Sequence, residues 1–303
     1  MTKDKKSRQL RIISLLRSSK VGLSKDQIVE KIEKELHYSD NDFNYVNITF
    51  KRDLSDIRND FNVDIIYNRK ENVYQIDSLQ VEDSRLDLML NSYKIHNTFL
   101  GFNTLPEHII PEKRKSNGLE HFGTISDAIN EKIYLEFDYF KYDSNQKEHK
   151  KVKPFALKES KNRWYLIGYY ENKEDFRAFG LDRISNLIPS DQKFKNAPDL
   201  EKINDYYKDS YAMFTEGEIE NVILSFDLRD GNYINSYPIH HSQKSELNPE
   251  RNIYIVTLKI KITLDFIMEL MSRAWSLEVI EPLSLRKKMA AIFEEAHKRN
   301  LNL

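Results

Sequence analysis

Apolar residues recur first with a helical period. Leu10, Ile13 and Leu16 share one face of residues 7–18. Ser24 and Gln27 have capping-box spacing, which starts a second helix at Lys25, with Ile28, Val29, Ile32 and Leu36 on one side. A polar loop, HYSDND, follows. Phe50, Leu54, Ile57 and Phe61 then fall at i, i+4, i+7 and i+11, the packing stripe of a third helix, and leave Thr49, Lys51, Arg52, Ser55 and Arg58 off it. The stretch VDIIYNRKENVYQI reads as two strands around a polar turn tipped by Arg69 and Lys70.

Residues 79–132 are mixed. Leu86, Leu90 and Tyr93 line one helix. NTLPEHIIPEKRKSNG, with two prolines and a charge run, is the joint. Leu119, Phe122, Ile125 and Ile129 form the stripe of another helix. This connector is either a lever or dimer contact, or a packed linker.

From Ile133 the period becomes two. Ile133, Leu135, Phe137 and Tyr139 alternate with Tyr134, Glu136 and Asp138. KKVKPFALKE is a second strand, with Pro154 at an edge or bulge. RWYLIGYY is a third, with Trp164, Leu166, Gly168 and Tyr170 on one face and Arg163, Tyr165, Ile167 and Tyr169 on the other. After the turn ENKED, FRAFGL is a fourth. Short strands packed this densely suggest a small barrel. Residues 191–217 read as a helical bridge. The remainder alternates β-α-β-β-α-β and ends in a helix, the order of a ferredoxin-like sandwich. Ile267, Leu270, Met271 and Ala274 are its inward helix positions, and His240 and His241 fall on a strand with diverging side chains.

The fold class is therefore α+β multidomain. Residues 1–78 form a winged helix-turn-helix, 79–132 a connector, 133–190 a small SH3/Sm-like β-barrel, 191–217 a bridge, and 218–303 a ferredoxin-like α/β domain.

Composition narrows the chemistry. The 303 residues carry a net charge of −1 and no cysteine, which excludes a uniformly basic coat, Cys-zinc sites and thiol catalysis. No run has the length of a membrane span, and the charged N-terminus is not followed by a signal-peptide core. No Walker loop, dinucleotide glycine signature, metalloprotease helix or nucleophile elbow is present. The expectation is a cytoplasmic protein that is not an enzyme, with no cofactor, no metal and no membrane partner.

Charge is uneven, however. Lys3, Lys5, Lys6, Arg8, Arg11, Arg17 and Lys20 face only Asp4 within the first twenty residues, a composition able to neutralise phosphates. The third helix would enter a major groove. The same elements suit an interaction domain that never touches DNA, and Asp53, Asp56 and Asp60 argue against a broadly basic third helix. An ion pair between Asp53 and the adjacent Arg52 would reconcile the two. In the central module, arginine is the residue that grips phosphate or carboxylate with two prongs. Arg177 and Arg183 are thus either an anion pocket or structural ion pairs, for instance Arg183 with Asp138.

Thr49, Phe50, Lys51, Arg52, Asp53 and Leu54 resemble the recognition-helix signature of the DeoR-type regulators that precede WYL domains. The resemblance implies that Thr49, Lys51, Arg52 and Asn47 approach DNA, with Arg58, Arg69 and Lys70 beside them. RWYLIGYY followed by FRAFGLDRI resembles the WYL domain, named for the Trp164, Tyr165, Leu166 triplet. Tyr139, Lys150, Lys151 and Lys153 before Pro154, Tyr165, Arg177 and Arg183 match the positions of its ligand pocket. HHSQ (His241, Gln243) and EPLSLR (Arg286) are similar to the C-terminal extension that often follows. Together these imply a bacterial transcription regulator, similar to WYL repressors beside phage-defence genes. It would bind double-stranded promoter DNA as a homodimer and sense a nucleic-acid or nucleotide-like effector. Activation, or a single-stranded nucleic-acid sensor acting through a partner protein, are the alternatives.

Overall fold

The computed structural model describes residues 3–36, 47–77, 84–99, 108–110, 117–170 and 175–301. The loop HYSDND, all of ENKED but Asp175, and most of the proline-containing joint lie outside them. The chain packs as two compact units, Met1–Glu112 and Lys113–Leu303, and its helices and sheets make a mixed α/β protein.

In the first unit, α1 (Lys3–Ser18), α2 (Lys25–Leu36) and α3 (Asn47–Phe61) precede a two-stranded antiparallel sheet, β1 (Ile65–Asn68) and β2 (Val73–Ile76). The capping box is formed. The Gln27 amide donates to Ser24 Oγ at 3.2 Å, and the Ser24 amide donates to Gln27 Oε1 at 2.9 Å. Two orphan amides at the start of α2 are thus satisfied. Ile13, Leu16, Ile28, Ile32, Phe50 and Ile57 meet in one core, to which Leu90 of α4 (Ser84–Phe99) contributes, flanked by Leu86 and Tyr93. The side chain of Leu36 lies outside the described residues. Leu23 exchanges two backbone hydrogen bonds with Tyr74, at 3.0 and 2.8 Å, which fastens the hairpin to the α1–α2 turn.

The second unit holds two sheets. A 3₁₀ turn (Leu119–His121) and α5 (Phe122–Glu131) lead into β3 (Ile133–Lys141), β4 (Gln146–Ser160), β5 (Arg163–Tyr170), β6 (Phe176–Gly180) and β7 (Ile184–Lys193). Their order is β6-β5-β4-β3-β7, so the last strand returns beside the first. Ile125 of α5 is buried, but Leu119, expected on the same stripe, is 54% exposed because the 3₁₀ turn breaks the helical phase. The β4 ladder shifts register between Pro154 and Ala156, the bulge its proline foretold.

Strand β5 is covered on both faces. Trp164, Leu166 and Tyr170 join the core formed with Phe137 and Phe179. Tyr165, Ile167 and Tyr169 join a second core with Phe155, Phe194 and Ile203 of α6 (Leu200–Tyr207). The Gly168 position requires glycine. A Cβ there would stand 2.4 Å from the Lys153 carbonyl oxygen and 2.6 Å from Val152 Cγ1.

The other sheet comprises β8 (Ile219–Asp227), β9 (Lys244–Asn248), β10 (Ile253–Lys261) and β11 (Glu278–Glu281), ordered β11-β8-β10-β9 and antiparallel throughout. With α7 (Leu228–Ser236), α8 (Leu264–Ser272) and α9 (Leu283–Leu301) it realises the expected β-α-β-β-α-β order. Ile267 and Leu270 are buried, whereas Ala274 is exposed because α8 ends at Ser272. His240 and His241 lie in a turn before β9 rather than on a strand. Their rings therefore meet, with centroids 3.9 Å apart, instead of diverging.

Candidate nucleic-acid and ligand interfaces

On α3 the expected ion pair between Asp53 and Arg52 is replaced by a longer-range one. Asp53 is buried and accepts two hydrogen bonds from Arg8 of α1, at 2.5 and 2.9 Å. Asp56 pairs with Lys5 at 2.7 Å. Two carboxylates of the helix are thus spent on its packed side. Lys51 and Arg52 are exposed, and among the described residues neither has a carboxylate partner. Thr49 is half-buried. Asn47 opens the helix, but its side chain lies outside the described residues. Arg58 is exposed yet bonded to Asp64 at 2.8 Å. At the hairpin tip Arg69 and Lys70 are exposed. Asn68 Oδ1 accepts from the Lys70 amide at 3.0 Å, an Asx turn that fixes the tip.

In the central sheet Arg183 stacks against two tyrosines. Its guanidinium carbon lies 4.8 Å from the Tyr139 ring centroid and 5.0 Å from that of Tyr142. Gly180 permits this approach, since a Cβ there would stand 3.1 Å from Arg183 Nε. The nearby carboxylate, Asp182, is bonded to Arg163 at 2.6 Å. Arg183 has no ion pair or hydrogen bond among the described residues, so the two rings attract its guanidinium while its donors stay unclaimed by the described residues. Asp138, considered as its partner, is instead bonded to Asn186 at 2.8 Å and to His149 at 3.2 Å. Burial pushes the Tyr139 hydroxyl up to about 12, against the opposing effect of Arg183, and that oxygen accepts from the Gly180 amide at 3.2 Å. Burial also raises the Tyr165 hydroxyl, which feels both Arg163 and Arg183.

The remaining expected ligand residues do not converge on this point. Arg177 sits at the start of β6, exposed and bonded to Asp175 at 2.8 Å. Lys150 is buried, bonded to Glu148 and held 4.2 Å from the Tyr170 ring. Lys151 and Lys153 fall on the opposite face of β4, by Tyr134, where Lys151 pairs with Glu136 at 2.8 Å. Period two separates Lys150 from its odd-numbered neighbours. Arg163 and Tyr142 complete the arginine-tyrosine cluster and were not singled out from sequence. Arg163 carries no motif signal, and Tyr142 lies in a polar turn.

In the C-terminal sheet domain, Gln243 is the brace. Its Oε1 accepts from the Ile239 amide at 2.9 Å, and its Nε2 donates to the Ile234 carbonyl and to Ser245 Oγ, each at 3.0 Å. His241 is exposed. The buried neighbour His240 makes the stronger tie, with Nε2 2.7 Å from the Lys208 carbonyl oxygen. Burial lowers its pKa, which matches a neutral ring donating from Nε2. Arg286 is exposed on α9, 3.4 Å from Glu278. Among the described residues no cluster of His, Asp and Glu is arranged to hold a metal ion, and no helix is long and apolar enough to cross a membrane.

Among solved structures the chain is similar to proteasome accessory factor B/C (PafBC) of Arthrobacter aurescens, at 18% identity and a TM-score of 0.35, over 94% of this chain and 46% of that one. It therefore spans about half the length of that protein. It is also similar to a CRISPR Cas-related protein, at 12% identity and a TM-score of 0.39, over 98% of this chain and 92% of that one. Residues 120–189 match the WYL domain and residues 218–296 the WCX domain, so the chain carries a WYL domain followed by a WCX domain.

Proposed function

We propose that this chain is a bacterial, cytoplasmic transcription regulator. Its N-terminal unit acts as a winged helix-turn-helix, and its WYL domain, a small Sm-like barrel, senses a nucleic-acid or nucleotide-like anion. The observation that carries the DNA-binding half is the sorting of charge on α3. Asp53 and Asp56 are paired with α1, while Lys51 and Arg52 are exposed without carboxylate partners. Such side chains can neutralise phosphates and reach base edges. The sensing half is supported by Arg183, whose guanidinium lies beside two tyrosine rings and whose donors are unclaimed among the described residues. An incoming phosphate would find a bidentate donor there, and a base could share the aromatic surface. The WCX domain follows as a ferredoxin-like sandwich. The protein would act as a homodimer on an inverted repeat and as a repressor released by its effector, which requires the effector to bind one state of the dimer more tightly.

The test is fluorescence anisotropy of the purified protein on its own upstream intergenic DNA, with and without a short single-stranded oligonucleotide. Specific binding that the oligonucleotide weakens supports a repressor, and binding that it strengthens supports an activator. Oligonucleotide binding with no specific duplex binding would replace this reading with that of a sensor acting through a partner protein.

A further inference from the structure

A cleft of about 390 Å³ opens where the β4–β5 hairpin of the WYL domain meets the segment after α6 and helix α8 of the WCX domain. That volume lies within the range of small-ligand sites. Its lining carries three cations, Lys158, Lys161 and Arg273, against the carboxylates Glu159 and Glu269. Lys161 and Arg273 share Glu269, at 3.2 and 3.8 Å, and the Tyr211 hydroxyl donates to the same carboxylate at 2.7 Å.

Lys158 is the feature left unexplained by packing. It is half-buried and has no ion pair among the described residues. Its ammonium lies 5.3 Å from the centroid of the Tyr207 ring. Burial pulls its pKa down, and the carboxylate opposing that shift is Asp265. Asp265, however, is already taken up by the amides of Met213 and Phe214, at 2.7 and 3.1 Å. An ammonium drawn partly out of water and offset only by a carboxylate that other groups already bind is costly, and an anion that reached it from the cleft would lower that cost. Tyr237, 87% exposed, stands on the same lining and offers a planar face.

We propose that this cleft is a second effector site, separate from the Arg183 cluster, which takes a small phosphate-bearing ligand with one planar ring, of mononucleotide size. The ring lies against Tyr237 and the phosphate meets Lys158. The choice of a nucleotide rests on the sensing function proposed above, whereas the need for an anion rests on the cleft itself. Because both domains line it, an occupant clamps the WYL hairpin onto α8.

Isothermal titration of the full chain with adenosine monophosphate, adenosine and inorganic phosphate tests this. Adenosine monophosphate is expected to bind at least tenfold more tightly than either fragment. Lys158→Gln is expected to weaken it at least tenfold, and in Arg183→Ala, which removes binding at the first site, the Lys158-dependent component is expected to remain. Absence of binding overturns the proposal, as does undiminished binding to Lys158→Gln. Should Lys158→Gln fail to fold, Tyr237→Ala, at an exposed position, decides: full retention of affinity overturns it and a clear loss supports it. Binding lost only in Arg183→Ala would place the ligand at the first site and overturn the cleft while sparing the sensing function. Cleft binding without any promoter binding would do the reverse.

Discussion

Arg8 of α1 grips Asp53 of α3 with two hydrogen bonds, and their side chains are only 9% and 1% exposed. The pair spans 45 positions and fixes which way α3 is turned. Removing one partner of a buried pair leaves the other charge uncompensated, at a cost of about 3–5 kcal/mol. Asp53→Ala is therefore expected to lower the midpoint of urea unfolding of the N-terminal unit severely, and to lose DNA binding with it. A variant as stable as the parent would show that the pair does not hold the helix.

Lys51 and Arg52 are exposed and carry no structural bond among the described residues. Replacing both with alanine is expected to leave thermal stability within about 0.5 kcal/mol and to abolish specific promoter binding. Residual binding should show a salt slope shallower by about one unit for each phosphate contact removed. Anisotropy at several salt concentrations measures this.

Arg183 and Arg177 separate two roles. Arg183→Ala removes the stacked guanidinium and should abolish the effector response while sparing promoter affinity. Arg177, exposed and paired with Asp175, is expected to matter little to stability, since surface pairs contribute about 0–1 kcal/mol. A titration with the single-stranded oligonucleotide compares the two. Loss of the response in Arg177→Ala alone would move the sensing site to the start of β6.

His240 makes stability depend on pH. Burial lowers its pKa below the ordinary value of 6.5, so the folded state binds this proton less readily than the unfolded chain. Its contribution is full above pH 6.5 and is lost as pH falls through that value toward the lowered one, by at most about 1.4 kcal/mol per pH unit. Thermal melts of the parent and of His240→Gln between pH 7.5 and 5, a span of about 2.5 units around the histidine range, are expected to show a steeper loss in the parent. Parallel curves would exclude the histidine as the cause.

Gly168→Ala drives a methyl group into the Lys153 backbone, which cannot yield as a side chain would. The expected cost is about 1–3 kcal/mol. A soluble variant of unchanged melting temperature would mean that β4 and β5 can move apart.

The features legible along the chain are local. The capping box at Ser24, the apolar stripe of α3, the hairpin around Asn68 and the alternating strands all follow from backbone geometry acting within a few residues. The WYL triplet and the arginines after it were legible in the same way, because they sit in one short ordered run. The partners were set by three-dimensional packing. It sent Asp53 to Arg8 rather than Arg52, gave Asp182 to Arg163, and buried β5 on both faces, one of them under α6. It also split Lys150 from Lys151 and Lys153, and turned His240 inward while leaving His241 exposed. A side chain's partner across 19 or 45 positions is set by which surfaces pack together, and periodicity carries no record of that.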